Sequence, residues 1–405
     1  MDREAHDRLD ALQRDPYPLY ARARAAEGLT FVPELDAWLV ARDADVREVL
    51  RRADEFSSVQ ALRPDVIPSP AAFAVLAGGF GGQPTVVSSD GPAHQRHRAP
   101  LNRGLSTGRV GELLPFVARR SAELIDEFEP HGTVELVEAY ARRLPSEVVG
   151  RLIGLDPVDV PAAVYGSNRA EQLLFRPLPE DEQIAAAHDV VELHHLLDSY
   201  VRDRRAAPRD DLLSGMVEAL APEPGELTLD QRHELVSNVQ NLFIAGHLTT
   251  TAVIGTAFLH LLGDRRQWEL LCEQPESVHS AVEEALRYDT AVQGFRRTTT
   301  REVTLSGTVL PAGSVVFVAY GSANRDEQRH ERPDVFDITR RPTRHVAFGY
   351  GTHGCPGSQL AREQLRITLE LFSRRLPGLR FVDEGPGEML PTLIHRAPEH
   401  LHLTW

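Results

Sequence analysis

Apolar residues recur at helical spacing through most of the chain. Runs such as GELLPFVARRSAELIDEF and HDVVELHHLLDSYVRD space them three and four apart, so residues 107–206 are expected to be mostly helical. Further helices are expected over 17–27, 209–220, 229–262 and 277–288. DADVREVLRR should open near Asp43 or Asp45 as N-cap, and 90–98 should open on an Asp cap with Pro in its first turn. Alternation replaces this period in a few places. LTFVP and AWLVA, within 29–40, read as short strands about a turn, and EVTLSGTVLPAGSVVFVAY reads as β-hairpins. MLPTLIHRAPEHLHLTW reads as a turn between short strands. Two stretches lose the pattern: 56–89, rich in Pro, Gly, Ala and Ser, and the less regular 162–176. A long stretch of the first kind is either functional or mobile, or equally a plain surface loop. APEPGELT at 221–228 is a clear break. No Gly/Ser or Pro linker divides the chain, so 1–405 is read as one domain.

Composition then narrows the class. A chain of 405 residues that is 42% hydrophobic, with mean hydropathy -0.28, describes a globular protein. The net charge of -15 is offset by no basic block, which argues against nucleic acid as a partner. The 44 basic residues are all Arg. Two cysteines, Cys272 and Cys355, make no disulfide framework and point to a reducing cytoplasm. The N-terminal MDREAHDRLDALQRD is charged and shows no signal peptide or anchor, and no apolar run is expected to span a bilayer.

The chemistry concentrates in residues 344–366, RHVAFGYGTHGCPGSQLAREQLR. Phe348, Gly349, Gly351, His353, Cys355 and Gly357 spell F-G-x-G-x-H-x-C-x-G ahead of an amphipathic helix. The glycines let the backbone turn tightly and approach a large flat ligand. Free N–H groups and the helix dipole would stabilise a Cys355 thiolate. Phe348 can shield the sulfur, and His353 and His345 can meet an anionic periphery. A thiolate presented to a haem iron fits this set; an inert buried thiol is the plain alternative.

At these residues the chain resembles the cytochrome P450 superfamily, specifically the soluble bacterial, actinobacterial-type class. Other motifs occur in the order that the resemblance requires, and it covers nearly the whole chain. DGPAHQRHR resembles the family's D-x-P-x-H-x-x-x-R segment, so His94 and Arg98 would contact haem propionates; by itself such a face is equally a solvated one. Ala245, Gly246 and Thr249 match the oxygen-activation motif A-G-x-[D/E]-T, with Leu248 at its acidic position. In that case protons would arrive through Thr249, His247, ordered water or the substrate, although His247 is equally a helix-surface residue. Thr249 could bond back to the Ala245 carbonyl and bend the helix into a local groove. Glu284 and Arg287, with Arg340, resemble the family's structural Glu-Arg-Arg triad; an E-x-x-R pair alone is a weak signal. Arg297 would be a further propionate partner. Leu242, Leu248, Val292, Gln293, Phe295, Leu393 and Ile394 would face the substrate, with the Gln293 amide fixing a polar group or making an interior hydrogen bond.

The resemblance implies a mainly α fold, a triangular helical domain with a small β-rich region, binding haem b through Cys355. It implies a monooxygenase acting on a secondary-metabolite intermediate, free or tethered to a carrier protein. At 405 residues no room is expected for a fused reductase, so electrons would come from a separate ferredoxin or flavodoxin, docked by Arg96, Arg103, Arg344 and Arg362. A cytoplasmic monomer without membrane contact is expected. Leu248 leaves room for oxidative C–C or C–N coupling or ring formation without oxygen insertion. A non-catalytic haem sensor is the rival from another class. A zinc site is a poor match to one thiol, and a Cys-nucleophile hydrolase lacks a local signature.

Overall fold

The computed structural model describes residues 3–382 and 387–405. Helices hold 58% of the chain, which makes the fold mainly α as the periodicity predicts. Contacts divide it into two units. One comprises Met1–Ser57, Leu114–Pro145 and Leu248–Trp405; the other comprises Ser58–Leu113 and Ser146–His247.

The first unit holds every strand among the described residues. Five form a sheet in the order Thr30–Val32, Ala37–Val40, Val315–Ala319, Gly294–Thr299 and Phe56–Ser57. Ala37–Val40 and Val315–Ala319 pair in parallel, Trp38 opposite Val316, while Gly294–Thr299 runs antiparallel with Arg297 opposite Val316. Val303–Leu305 and Thr308–Leu310 form the expected hairpin. Its two-residue turn, Ser306 and Gly307, has φ of 48° and 78°, the doubly positive geometry that suits a right-twisted ribbon. A three-stranded sheet joins Thr133–Glu135, His402–Thr404 and Arg380–Phe381.

Helix starts show how distant residues replace local caps. Asp43–Arg51 takes no side-chain cap from its own sequence; the Asp43 N–H donates to Asp326, 2.8 Å away, and the Asp43 carboxylate holds Arg47. A turn of π-helix, Val137–Ala141, leads into the helix Arg143–Ile153. The Ala141 carbonyl accepts the Thr251 hydroxyl at 2.9 Å, which gives one of the three odd mid-helix threonines a structural task.

In the second unit the pattern-poor stretches are more ordered than the sequence suggests. Pro70–Leu76 is helical, with the Ser69 side chain accepting the Ala72 N–H, a start signal embedded in Gly and Pro. Val160–Phe175 is a continuous helix rather than an irregular segment. Its small Gly166 lies flat against Leu193, where a Cβ would come within 2.7 Å, so close helix packing replaces the missing apolar period. Helix Gly91–Gly104 follows Asp90, whose carboxylate accepts the Ser58 N–H instead of capping.

Leu229–Gly263 is helical over 35 residues and carries the unit boundary after His247. Contrary to expectation, it contains a window of mean hydropathy 1.6, long and apolar enough to cross a membrane. Of that window 72% is buried inside the protein, as in a core helix.

Candidate haem site

The cysteine loop is built from short backbone hydrogen bonds. Gly349 N–H donates to the Val346 carbonyl at 2.9 Å and Cys355 N–H to the Phe348 carbonyl at 2.8 Å. Gly351 has φ of 71°, and a Cβ there would lie 2.5 Å from the Leu50 carbonyl oxygen, so this position admits only glycine. Ser358–Arg375 begins as a helix three residues beyond Cys355, with Gly357 at its N-cap. The loop leaves Cys355 exposed and outside any disulfide. His353 closes a short 3-10 turn, Gly351–His353.

A buried ion-pair network holds the loop from behind. Both guanidinium arms of Arg287 meet Glu284 at 2.8 Å, and Arg340 lies 3.1 Å from the same carboxylate. The Glu284 and Arg287 side chains are 2% and 1% exposed, so this is no weak surface pair. Arg287 also donates to the Asn324 carbonyl at 2.8 Å, and the Asn324 side chain accepts Val346 N–H at 2.7 Å, at the base of the loop. The triad therefore reaches the cysteine loop through Asn324, a residue that no local motif marks.

Whether this unit suits haem can be judged from Arg297. It is 3% exposed, and its guanidinium donates to the Arg296 carbonyl at 2.8 Å and bonds Tyr320. Among the described residues no carboxylate pairs with it. A buried cation without an acid is costly, so the position calls for an anion such as a propionate. Together with an exposed thiol in a glycine cradle, it fits the group. His345 is turned elsewhere: its Nε2 lies 3.1 Å from Glu283, and Arg362 binds the same carboxylate at 2.6 Å.

The expected substrate-facing segments of this unit are tied to each other. Gln293 N–H donates to the Leu393 carbonyl at 2.8 Å, and Arg396 N–H to the Ala291 carbonyl at 2.9 Å. The Gln293 side chain is fully buried, its Nε2 donating to Thr290 O at 2.8 Å and Tyr17 Oη at 3.2 Å, while its Oε1 has no hydrogen-bond partner among the described residues. Val292 and Phe295 are half-buried, whereas Leu393 and Ile394 are buried. Leu248 and Thr249 are half-buried at the start of this unit's share of the long helix.

In the second unit, His94 is buried and Arg98 half-buried on helix Gly91–Gly104. Burial, and then the Arg98 charge, hold His94 below its ordinary pKa. Arg98 Nε donates to Asn102 at 2.7 Å. Leu242 is buried, while Ala245 is exposed. Gly246 packs on Val149, where a Cβ would come within 2.5 Å of a methyl carbon. His247 is not on the helix surface: it is 1% exposed, and its Nδ1–H donates to the Phe243 carbonyl at 2.7 Å. Of the arginines expected to dock an electron donor, Arg96 pairs with Glu234 and Arg362 with Glu283, while Arg103 and Arg344 are exposed.

The cytochrome P450 family model matches residues 168–376. Cytochrome P450 107B1 of Saccharopolyspora erythraea is 34% identical over 92% of this chain and 90% of its own. Vitamin D(3) 25-hydroxylase of Pseudonocardia autotrophica is 34% identical over 92% of this chain and 89% of its own. Among solved structures, cytochrome P450 CREJ in complex with (4-ethylphenyl) dihydrogen phosphate superposes with a TM-score of 0.88 at 30% identity, covering 97% of this chain and 98% of the other. The chain belongs to the cytochrome P450 family. It is a P450 oxidoreductase of the monooxygenase type, and its cofactor is haem b.

Proposed function

We propose that this enzyme oxidises a secondary-metabolite intermediate in the cytoplasm, using dioxygen and electrons from a separate ferredoxin or flavodoxin. The observation that carries the site assignment is the exposed Cys355 thiol in a glycine loop, in the same unit as a buried Arg297 that meets no acid among the described residues. Cys355 holds the iron, and Arg297, His94 and Arg98 serve the propionates. Phe348, Gly349, His353 and Gly357 shape the proximal loop. Haem bound through a thiolate supplies the activation of dioxygen for attack on a C–H bond. The chain's own residues position the substrate, exclude water and move protons. Leu248 carries no proton, so Thr249 is the side chain proposed to hold the proton path beside Ala245 and Gly246. Val292, Phe295, Leu393 and Ile394 give the pocket an apolar wall, while Gln293 stiffens that wall from behind. Arg344, exposed beside the cysteine loop, is proposed to dock an acidic electron donor.

A spin-state titration of the ferric protein against free aromatic, macrocyclic and cyclic-dipeptide metabolites tests the substrate class. A saturable low-to-high-spin shift identifies the substrate. Turnover of that compound with a ferredoxin system should then incorporate one labelled atom from dioxygen. Leu248 supports a second reading, coupling or ring closure, in which the product carries no label. If no free compound shifts the spin state while the thiolate-haem spectrum is intact, the substrate is carrier-tethered or of a class outside the panel.

A further inference from the structure

Glu283 sits one residue ahead of the Glu284 triad, on helix Val278–Tyr288, and has a different set of partners. Arg362, about one turn into the helix that follows Cys355, donates to it through Nε at 2.6 Å and Nη2 at 3.1 Å. His345 completes the group at 3.1 Å. Its Nδ1 accepts the Ala347 N–H at 3.2 Å, so the ring proton is on Nε2 and points at Glu283. His345 thus donates to Glu283, and the carboxylate also faces the guanidinium of Arg362. Burial alone would raise the Glu283 carboxyl, but the hydrogen bonds from His345 and Arg362 outweigh it and hold it at about 2. The guanidinium of Arg362 lies 4.5 Å from the centroid of the Phe348 ring. The carbonyl of that same Phe348 accepts the Cys355 N–H at 2.8 Å. A balanced ion pair is thus held one aromatic ring away from the thiol-bearing backbone.

We infer that Glu283 and Arg362 are positioning residues that set the reduction potential of the iron site by keeping a neutral charge pair clamped on Phe348. The inference rests on Cys355 being the axial ligand. Both side chains are only partly accessible, 11% and 33%, so the charges are weakly screened and the unmatched member of the pair would be felt at the loop. Removing the cation leaves an anion beside the site and disfavours the added electron; removing the anion does the reverse.

The experiment is potentiometry of the haem-loaded protein and its variants at one pH. R362Q should shift the ferric/ferrous potential down and E283Q should shift it up. The neutral double variant should return close to the parent, and R362K, which keeps the charge, should stay there. A purely structural role would move both single variants the same way. Arg362 is one-third exposed, so R362Q and R362K remain a valid comparison even if E283Q does not fold. An unmoved R362Q, or equal shifts in R362Q and R362K, overturns the inference while a thiolate-type ferrous–CO spectrum in the parent leaves the Cys355 assignment standing. A parent without that spectrum overturns both.

Discussion

Arg396 Nε lies 2.6 Å from Asp289 Oδ1, with both side chains buried. The same carboxylate takes the Tyr17 hydroxyl at 2.6 Å and His260 Nε2 at 2.9 Å. Arg325 lies 3.5 Å above the Tyr17 ring and 3.8 Å from that of Tyr288. Burial alone would push Asp289 up; the Arg396 charge, His260 and Arg325 outweigh it and hold the carboxyl far below the usual range. The pair fastens the turn carrying Leu393 and Ile394 to the segment carrying Val292 and Gln293, the two proposed walls of the substrate site.

Arg396→Gln leaves a buried carboxylate short of its nearest charge and should cost about 3–5 kcal/mol in chemical denaturation. The double variant Asp289→Asn/Arg396→Gln should recover part of that loss. No recovery would mean that Arg396 acts mainly through its 2.6 Å bond to the Arg14 carbonyl.

Gly246→Ala should destabilise by about 1–3 kcal/mol, because the new methyl meets Val149. Val149→Ala should relieve it. If the pair restores both stability and activity, Gly246 is needed for packing alone; restored stability without activity would assign the motif glycine to oxygen chemistry.

His194 is buried between Gly79 and Gly81, and burial holds its pKa down at about 4, against 6.5 ordinarily. Between those values the unfolded chain binds the proton and the folded one does not. Stability is therefore lost as pH falls from about 6.5 to about 4. Thermal melts should show that slope shrinking in His194→Gln, and an unchanged slope would place the acid sensitivity elsewhere.

Leu248→Glu restores the acid that the family motif carries. The share of electrons ending in product, rather than in peroxide, should rise. Unchanged coupling would remove any special role for this position.

What could be read from the sequence was chemistry that is local along the chain. The cysteine loop, the E-x-x-R pair and the His94–Arg98 face each fit within a few turns, and the long helix follows from its apolar content. Partnerships between remote residues were hidden. Glu283 meets His345 and Arg362 across 62 and 79 residues, and Tyr17 reaches Asp289 across 272. The helix Val160–Phe175 escaped because Gly166 and a fully buried Ser167 break its apolar period while serving tight packing. His247 looked polar enough for a surface, yet its own helix supplies the Phe243 carbonyl that makes burial tolerable.

Electron paramagnetic resonance of the ferric protein tests the central claim most directly. The parent and Cys272→Ala should both give the low-spin signal of a thiolate-ligated haem, and Cys355→Ser should lose it. A thiolate signal that survives in Cys355→Ser, or disappears in Cys272→Ala, would contradict the assignment of Cys355 as the ligand.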